Sequence, residues 1–326
     1  MGMLQGKTAL VTGGGRGIGR GIVMALAGAG ASVVVNDIGA SLSGEGTDRG
    51  PANQVAEEIR ATGGAAVANT GSVTDHSQGR QMVQDCIDHF GKIDIVVHTA
   101  GILRDRMIFN LTEDEWDMVT AVHLKGAYNV IHPATQHFRQ QRSGRIIAFS
   151  STSALGAPGQ PNYGAAKAGI LGLIWSCANG MTRYNVTANA IMPFADTRMI
   201  DTTPRAQEQF EQTGKWPSET ASGTERDPEN VAPLVVFLAS EEAQAINGQV
   251  FGSFGYEIAL LAQPHFVRGL RHTRRWRPEE LRDMVPTTLG VDLQPPPAFR
   301  GAFGVLDQIP ECGSSVAPGV QFWEKE

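Results

Sequence analysis

The chain has 326 residues and a formal net charge of −6, with 41% hydrophobic and 18% charged residues. That length allows one large α/β domain or two small ones, and the composition is typical of globular proteins. The negative charge argues against a general attraction to nucleic acid or to anionic membrane, because both are themselves negative.

The three cysteines, Cys86, Cys177 and Cys312, lie far apart and form no CxxC pair or Cys/His cluster. This spacing disfavours disulfides and a structural metal site, and it suits a reducing compartment. The N-terminus enters a strand-like run without a charged-then-apolar leader, and no apolar run approaches the roughly 18–20 residues of a membrane span. We therefore expect a cytoplasmic protein with no membrane contact and no bound metal.

Seven short apolar runs alternate with stretches of helical period. Residues 51–62, for example, begin at a proline and precede a glycine, as helices do. Continuous apolar strands separated by helices predict an α/β fold with a doubly wound, parallel, seven-stranded sheet of the Rossmann type. The predicted strands cover residues 8–12, 32–37, 65–69, 93–98, 145–151, 186–191 and 248–253.

The alternation stops after residue 256. We predict one domain over residues 1–256 and a C-terminal extension over residues 257–326, which ends in a proline-rich run at residues 294–299. The extension carries five arginines that suit phosphate groups, such as those of coenzyme A, or a solvated helix or subunit contact. They are Arg268, Arg271, Arg274, Arg275 and Arg277.

A glycine cluster lies between the first strand and the first helix. Gly13, Gly17 and Gly19 follow a TGxxxGxG spacing. Glycine permits a tight turn and lets the backbone approach a pyrophosphate at a helix N-terminus, although such a cluster also occurs in ordinary turns.

The second strand ends at Asp37, eighteen residues after Gly19. An acid there can accept both ribose hydroxyls of NAD, and it would repel the 2′-phosphate of NADP. Arg16 and Arg20 are able to attract that phosphate, but Asp37 has the more direct position. We therefore expect NAD, while a solvated acid at the end of a strand stays an alternative for Asp37.

Tyr163 and Lys167 are four residues apart, so on a helix they share a face. A free phenol titrates near 10, and a nearby lysine cation favours the phenolate and lowers that pKa. Ser151, at the end of the fifth strand, is placed to hydrogen-bond a substrate oxygen. A YxxxK pair also occurs by chance on helix surfaces.

Taken together, these motifs over roughly residues 4–256 resemble the short-chain dehydrogenase/reductase superfamily. The sequence carries "TGGGRGIG", an acid after the second strand, "TAGI", "SS" and "YGAAK" in that order. The resemblance implies that Tyr163 is the acid–base, that Ser151 positions the substrate oxygen and that Lys167 binds the nicotinamide ribose and tunes the tyrosine. The gap from Ser151 to Tyr163 is one residue shorter than is usual in the family, so Ser150 is the alternative serine.

His123 stands where the family usually has a catalytic asparagine whose main-chain carbonyl holds a water in a proton relay with the lysine. Because a main-chain group performs that role, we expect His123 to be a replacement at the relay position. Other departures are His98 and Thr99 in place of two asparagines, and Gly71 in place of an acid that contacts adenine. Main-chain groups of Ser72 and Val73 are expected to compensate for that loss.

The resemblance assigns the cofactor contacts, with Thr197 placed to bind the carboxamide and Phe194 expected to narrow the nicotinamide end. The assigned residues are Gly13, Arg16, Gly17, Ile18, Gly19, Asp37, Ser72, Val73, Thr99, Ala100, Gly101, Tyr163, Lys167, Pro193 and Thr197.

Within the superfamily, stretches such as "AGILRDRMI", "VHLKGAY" and "GQPNYGAAKAGILGL" are similar to the (3R)-hydroxyacyl-CoA dehydrogenase part of the peroxisomal multifunctional enzyme type 2. This resemblance implies oxidation of a (3R)-3-hydroxyacyl-CoA to the 3-ketoacyl-CoA with NAD. No hydratase or sterol-carrier module follows, so we expect a free-standing dehydrogenase.

Residues 192–230 are expected to form the substrate loop, whose apolar side chains also suit a steroid, a terpenoid or another bulky cyclic alcohol. A different reading is an NAD-binding scaffold without catalysis, against which the intact Tyr163–Lys167 pair argues. The family resemblance further implies a homodimer or homotetramer built on the helices that carry Tyr163 and His123.

Overall fold

The computed structural model describes residues 2–293 and divides the chain into two compact units, of which the first ends at Leu261 and the second begins at Ala262. The proline-rich run at residues 294–299 and Cys312 lie outside the described residues. The first unit is the doubly wound α/β fold that the alternation of strands and helices predicts.

One sheet of eight strands runs through the first unit in the order β3-β2-β1-β4-β5-β6-β7-β8. The first seven strands are parallel, as predicted, and β8 adds an antiparallel edge strand beside β7. This last strand lies just beyond the predicted boundary at residue 256. The strands are β1 (Thr8–Thr12), β2 (Ser32–Asn36), β3 (Ala66–Asn69), β4 (Ile95–His98), β5 (Gly144–Phe149), β6 (Val186–Phe194), β7 (Val250–Phe254) and β8 (Glu257–Leu260).

Helices cover both faces of the sheet, which is why its strands are apolar along their whole length. Alternate residues of β2 enter opposite cores: Val33 and Val35 pack with α1, α2 and α9, whereas Val34 packs with α3, α5 and α6. The helices of the first unit are α1 (Gly17–Gly28), α2 (Gly50–Ala61), α3 (His76–Phe90), α4 (Glu113–Thr120), α5 (Gly126–Gln141), α6 (Pro161–Met181), α7 (Pro204–Thr213), α8 (Pro217–Thr220) and α9 (Ala232–Ala239).

A π-helical turn, Ala121–Lys125, joins α4 directly to α5. Such turns are rare and occur frequently at functional sites, because they displace the backbone groups of a single turn from the regular ladder. His123 lies in the middle of this turn and is 1% exposed.

The predicted substrate loop is largely structured. It begins within β6, carries α7 and α8, and continues to residue 230.

The second unit contains α10 (Pro278–Met284), where Arg274 and Arg277 both pair with Glu280. Two of the five tail arginines are therefore partly neutralised by an acid of their own segment.

Candidate active site

A crevice opens at the carboxyl ends of the strands, where the chain order reverses between β1 and β4. Open α/β sheets bind ligands at this switch point. Every cofactor contact assigned from the sequence lines this single crevice, and so do His123 and Ser150. The structure therefore brings together the glycine turn, Asp37 and the Tyr163–Lys167 pair.

The glycine turn is shaped for a close approach of backbone to ligand. Gly13 has φ +68°, and a Cβ there would lie 2.8 Å from the main chain of Ala100. Arg16 precedes α1 without a side-chain cap, and the first turn of the helix carries no acid. Because the first N–H groups of a helix have no partner within it, this end of α1 suits a pyrophosphate.

Asp37 is held in place by two main-chain N–H groups. Its carboxylate oxygens accept from Gly15 N at 2.9 Å and from Gly39 N at 2.7 Å. The guanidinium of Arg16 lies 3.7 Å from the carboxylate of Asp48. Since each carboxylate oxygen has a second lone pair, Asp37 keeps the capacity to accept ribose hydroxyls.

Several lining residues were not predicted from the sequence. Although Arg198 and Met199 lie in the predicted substrate loop, Ala40, Ser41, Leu42 and Gly44 come from the polar loop at residues 39–50, for which no ligand contact was predicted. The unusual length of the loop was the available signal, since long loops in compact domains are usually functional.

The expected compensation for Gly71 is only partly available. The Ser72 N–H donates to Gln78 Oε1 at 2.7 Å, and the Val73 carbonyl accepts from Asn129 Nδ2 at 2.8 Å. Ser72 and Val73 still line the crevice. Gln78 occupies the Ser72 N–H, whereas the Val73 carbonyl keeps a second lone pair, and the compensation by main-chain groups of these residues stays a prediction.

The two candidate serines have different partners. The Ser151 hydroxyl forms a hydrogen bond with Tyr163, whereas the Ser150 hydroxyl donates to the main-chain carbonyl of Lys167 at 2.8 Å. Ser151 is therefore the serine beside the phenol, and Ser150 anchors the helix that carries it.

A chain of polar side chains extends from Ser151 and was missed in the sequence. Ser151 donates to Ser153 Oγ at 3.2 Å, Ser153 donates to Gln160 Oε1 at 2.7 Å, and Gln160 Nε2 donates to Asp105 at 2.6 Å. In this chain the Ser151 hydrogen points toward Ser153, so the hydroxyl has to turn away from Ser153 before it can donate to a substrate oxygen. No local pattern reveals it, because its members come from three separate segments.

Burial governs the ionisation of the Tyr163–Lys167 pair. It raises the pKa of Tyr163 to about 12, although the hydrogen bond with Ser151 acts in the opposite direction, and it lowers the pKa of Lys167 to about 7. The Lys167 Nζ donates to the Phe149 carbonyl at 2.6 Å and lies 5.4 Å from the centre of the Tyr163 ring. The expected net lowering of the phenol pKa is wrong in direction, because desolvation outweighs the hydrogen bond with Ser151.

His98 links strand β1 to the π-turn. Its Nδ1 lies 2.9 Å from Thr12 Oγ1 and its Nε2 lies 3.2 Å from the main-chain carbonyl oxygen of His123. Thr99 donates from Oγ1 to the Thr12 carbonyl at 2.5 Å. Residues 98 and 99 thus support this part of the crevice through specific hydrogen bonds.

Pro193, near the end of β6, and Thr197, just beyond it, line the crevice. Phe194 is not among its lining residues in the part of the chain that the structure describes, and its ring lies 4.5 Å from the guanidinium carbon of Arg226. The expectation that Phe194 narrows the nicotinamide end is therefore wrong, because the ring faces this cation.

Two features are absent from residues 2–293. No helix there has the length and apolarity needed to cross a membrane, and no group of three or more histidine, cysteine, aspartate or glutamate side chains has the arrangement of a metal site. A cytoplasmic location remains a prediction.

A Rossmann-type sheet with a glycine turn, a strand-end acid and a Tyr–Lys pair in one crevice defines a nucleotide-dependent oxidoreductase. The family profile described as "Enoyl-(Acyl carrier protein) reductase" matches residues 13–253. The chain belongs to the short-chain dehydrogenase/reductase superfamily, whose members use a nicotinamide cofactor. This confirms the family predicted from the sequence.

The chain is similar to several known members of the superfamily. It is 38% identical to the hydroxyacyl-CoA dehydrogenase ChsB1 of Mycobacterium tuberculosis, over 85% of this chain and 87% of that protein. It is 40% identical to the peroxisomal multifunctional enzyme type 2 of Mus musculus, over 76% of this chain but 31% of that protein. A crystal structure of a short chain dehydrogenase from Mycobacterium avium matches with a TM-score of 0.76 and 40% identity, over 90% of this chain and 98% of that one.

Proposed function

We propose that the protein is an NAD-dependent dehydrogenase that oxidises (3R)-3-hydroxyacyl-CoA thioesters to 3-ketoacyl-CoA thioesters. The observation that carries the proposal is the Tyr163–Lys167 pair in the crevice, with Ser151 hydrogen-bonded to Tyr163. Support for the substrate class comes from the similarity to a hydroxyacyl-CoA dehydrogenase along most of both chains.

The preference for NAD over NADP rests on charge. Asp37 lies at the end of β2 with its carboxylate fixed by two N–H groups, and Asp48 partly neutralises Arg16. The 2′-phosphate of NADP would lie near the fixed carboxylate of Asp37, and Arg16 already pairs with Asp48. Both features are unfavourable for a dianion.

In the oxidation, Tyr163 takes the hydroxyl proton of the substrate while Ser151 hydrogen-bonds the same oxygen. The bound nicotinamide supplies the hydride acceptor. Lys167, with a pKa of about 7, exchanges protons readily at neutral pH and passes the proton on. Because the phenol of Tyr163 is protonated at neutral pH, it gives its own proton toward neutral Lys167 as it takes the proton of the alcohol, so the step depends on the positions of all three side chains.

The proposed substrate segment supports an apolar ligand. Phe210 and Trp216 stack with ring centroids 4.3 Å apart, and Met199 lines the crevice. Met199 also suits the second candidate, a steroid or other bulky cyclic alcohol, whereas Phe210 and Trp216 are not among the residues that line the crevice.

The experiment is a spectrophotometric screen for NADH formation with (3R)- and (3S)-3-hydroxyacyl-CoA, steroid and terpenoid alcohols. The expected result is turnover of the (3R)-thioester with NAD, and its loss in Tyr163→Phe. Turnover only of cyclic alcohols would replace the proposed substrate with the second candidate. Binding of NAD with no turnover of any alcohol would favour a scaffold without catalysis.

We also propose a homodimer or homotetramer built on the helices that carry Tyr163 and His123. Trp116 on α4 and Tyr128 on α5 are 38% and 46% exposed, and α6 is apolar around most of its circumference. Helices that are apolar all round are normally buried. Sedimentation velocity checks this, and a monomer at micromolar concentration would contradict it.

A further inference from the structure

The polar chain that begins at Ser151 has one direction along its whole length. The Ser151 hydroxyl donates to Ser153 Oγ at 3.2 Å, and the Ser153 hydroxyl donates to Gln160 Oε1 at 2.7 Å. The amide nitrogen of Gln160 then donates to Asp105 Oδ2 at 2.6 Å. Ser153 is buried, whereas Asp105 reaches the surface, so all three hydrogens point away from the reacting phenol and toward an exposed acid.

The charge of Asp105 sets this direction. A carboxylate only accepts hydrogen bonds, so Gln160 has to present its NH2 group to Asp105 and its carbonyl oxygen to Ser153. Because that carbonyl oxygen also only accepts, the single hydrogen of the Ser153 hydroxyl is used on it. Ser153 Oγ is then left as an acceptor, and the hydrogen of Ser151 lies on it.

This arrangement leaves Ser151 without a hydrogen for a ligand. Its oxygen accepts from the Ser153 N–H at 3.1 Å and forms the hydrogen bond with Tyr163. Since a hydroxyl has one hydrogen, Ser151 acts as the acceptor in its bond with the phenol. To donate to a bound oxygen, Ser151 has to give up its bond to Ser153, and the rest of the chain cannot reverse while Asp105 is charged.

The alcohol and the ketone differ in what they require from Ser151. A ketone oxygen only accepts, so it is best bound when Ser151 and Tyr163 both donate to it. An alcohol brings a hydrogen of its own, which it donates to Tyr163, and it depends less on the hydrogen of Ser151. The cost of breaking the bond between Ser151 and Ser153 therefore falls mainly on the ketone.

We propose that Asp105 is a positioning residue that weakens the binding of the ketone relative to that of the alcohol, an inference that rests on the proposed dehydrogenase function. Its carboxylate acts through Gln160 and Ser153 and holds the Ser151 hydrogen away from the ligand. In the direction of oxidation the ketone is the product, so this arrangement favours product release.

The test measures ligand affinity in complexes that cannot react, namely 3-ketoacyl-CoA with NAD and (3R)-3-hydroxyacyl-CoA with NADH. It compares the parent with Asp105→Asn and Ser153→Ala. Asparagine has an NH2 group that can donate to Gln160, so the whole chain can reverse without losing a bond, whereas Ser153→Ala removes the oxygen that holds the Ser151 hydrogen. Both variants should bind the ketone about 3- to 10-fold more tightly, the equivalent of one net hydrogen bond. The dissociation constant of the alcohol should change by less than about twofold.

Asp114→Asn is the matched control, because it removes the same charge from an acid that pairs with Arg104, the neighbour of Asp105. It should keep both parental dissociation constants. Although Asp105 reaches the surface, partial burial of its carboxyl raises its pKa, so the measurements are made at about pH 8, where the carboxylate is charged. Parental ketone affinity in either test variant would overturn the proposal, and so would an equal weakening of both ligands, which indicates only a structural role.

A second measurement does not depend on either thioester. A neutron crystal structure of the parent at the same pH, after exchange into heavy water, should show the Ser151 deuterium directed at Ser153 Oγ and no deuterium on Asp105. A Ser151 deuterium directed at Tyr163 would overturn the proposal even in an active enzyme. If the parent binds neither thioester, the proposed substrate fails, and the direction of this one hydrogen decides the inference.

Discussion

The side chain of Ser150 donates a hydrogen bond of 2.8 Å to the main-chain carbonyl of Lys167, which joins the end of β5 to the middle of α6. The next residue, Ser151, forms its hydrogen bond with Tyr163. Two adjacent serines therefore contact the same helix in different ways. Ser150 binds a main-chain carbonyl of α6, whereas Ser151 interacts with the phenol of Tyr163.

This division predicts opposite effects for two single substitutions. Ser151→Ala should lower kcat by about 10²-fold or more, because it removes the donor to the reacting oxygen, and should leave stability nearly unchanged. Ser150→Ala should keep most of the activity but lower the free energy of unfolding by about 1 kcal/mol. Steady-state kinetics and urea denaturation of both variants provide the check, and an equal loss of kcat in the two would contradict it.

Asp37 is predicted to determine the choice of cofactor. Asp37→Ser removes the carboxylate, so the ratio of kcat/KM for NADP over NAD should rise by about 10²-fold, equivalent to a few kcal/mol of like-charge repulsion. Asp48→Asn is the matched control, because it frees Arg16 without altering Asp37 and should shift the ratio far less. A ratio that does not respond to the loss of Asp37 would show that another group makes the selection.

We predict that position 101 requires glycine, because the imidazole of His123 leaves no room there for a side chain. A Cβ at position 101 would lie 2.3 Å from His123 Cε1, so Gly101→Ala should cost about 1–3 kcal/mol of stability through overpacking. The smaller side chain in Gly101→Ala/His123→Asn should recover part of that loss. Gly180→Ala, on α6 with nothing within 4 Å of the added methyl, should be neutral or stabilising. Denaturant midpoints of the parent, Gly101→Ala, His123→Asn, the double variant and the Gly180→Ala control test the coupling, and strict additivity would refute it.

The buried histidines predict a loss of stability in mild acid. Burial lowers the pKa of His98 from 6.5 to about 3 and that of His123 well below 6.5. Below about pH 6.5 the unfolded chain therefore binds protons that the folded protein excludes, and the free energy of unfolding falls as the pH decreases toward 3.

Urea denaturation between pH 7.5 and pH 4.5 measures this slope. His98→Asn should flatten it, because asparagine can still bond to Thr12 and to the His123 carbonyl but does not titrate. His89→Asn, a change at an exposed position on α3, should leave it as it is. An unchanged slope in His98→Asn would mean that other groups govern the acid response.

Local patterns in the sequence were sufficient to predict the parallel sheet and most of the residues that line the crevice. Strands that are buried on both faces must be continuously apolar, so β1 to β7 were recognisable from their composition alone. Gly13, Asp37, Tyr163 and Lys167 were identifiable because the chemistry of a dinucleotide site constrains residue type at fixed positions relative to those strands and to one helix turn.

The tertiary structure decided the rest. Contacts between distant segments set the bonds from His98 to Thr12 and His123, the assignment of Ser151 to the phenol and the polar chain to Asp105. The sequence also could not predict the direction in which the pKa values of Tyr163 and Lys167 shift, because the shifts depend on how completely the fold excludes water. Residue type determines which chemistry is available, but hydrogen-bond partners and desolvation depend on distances that only packing establishes.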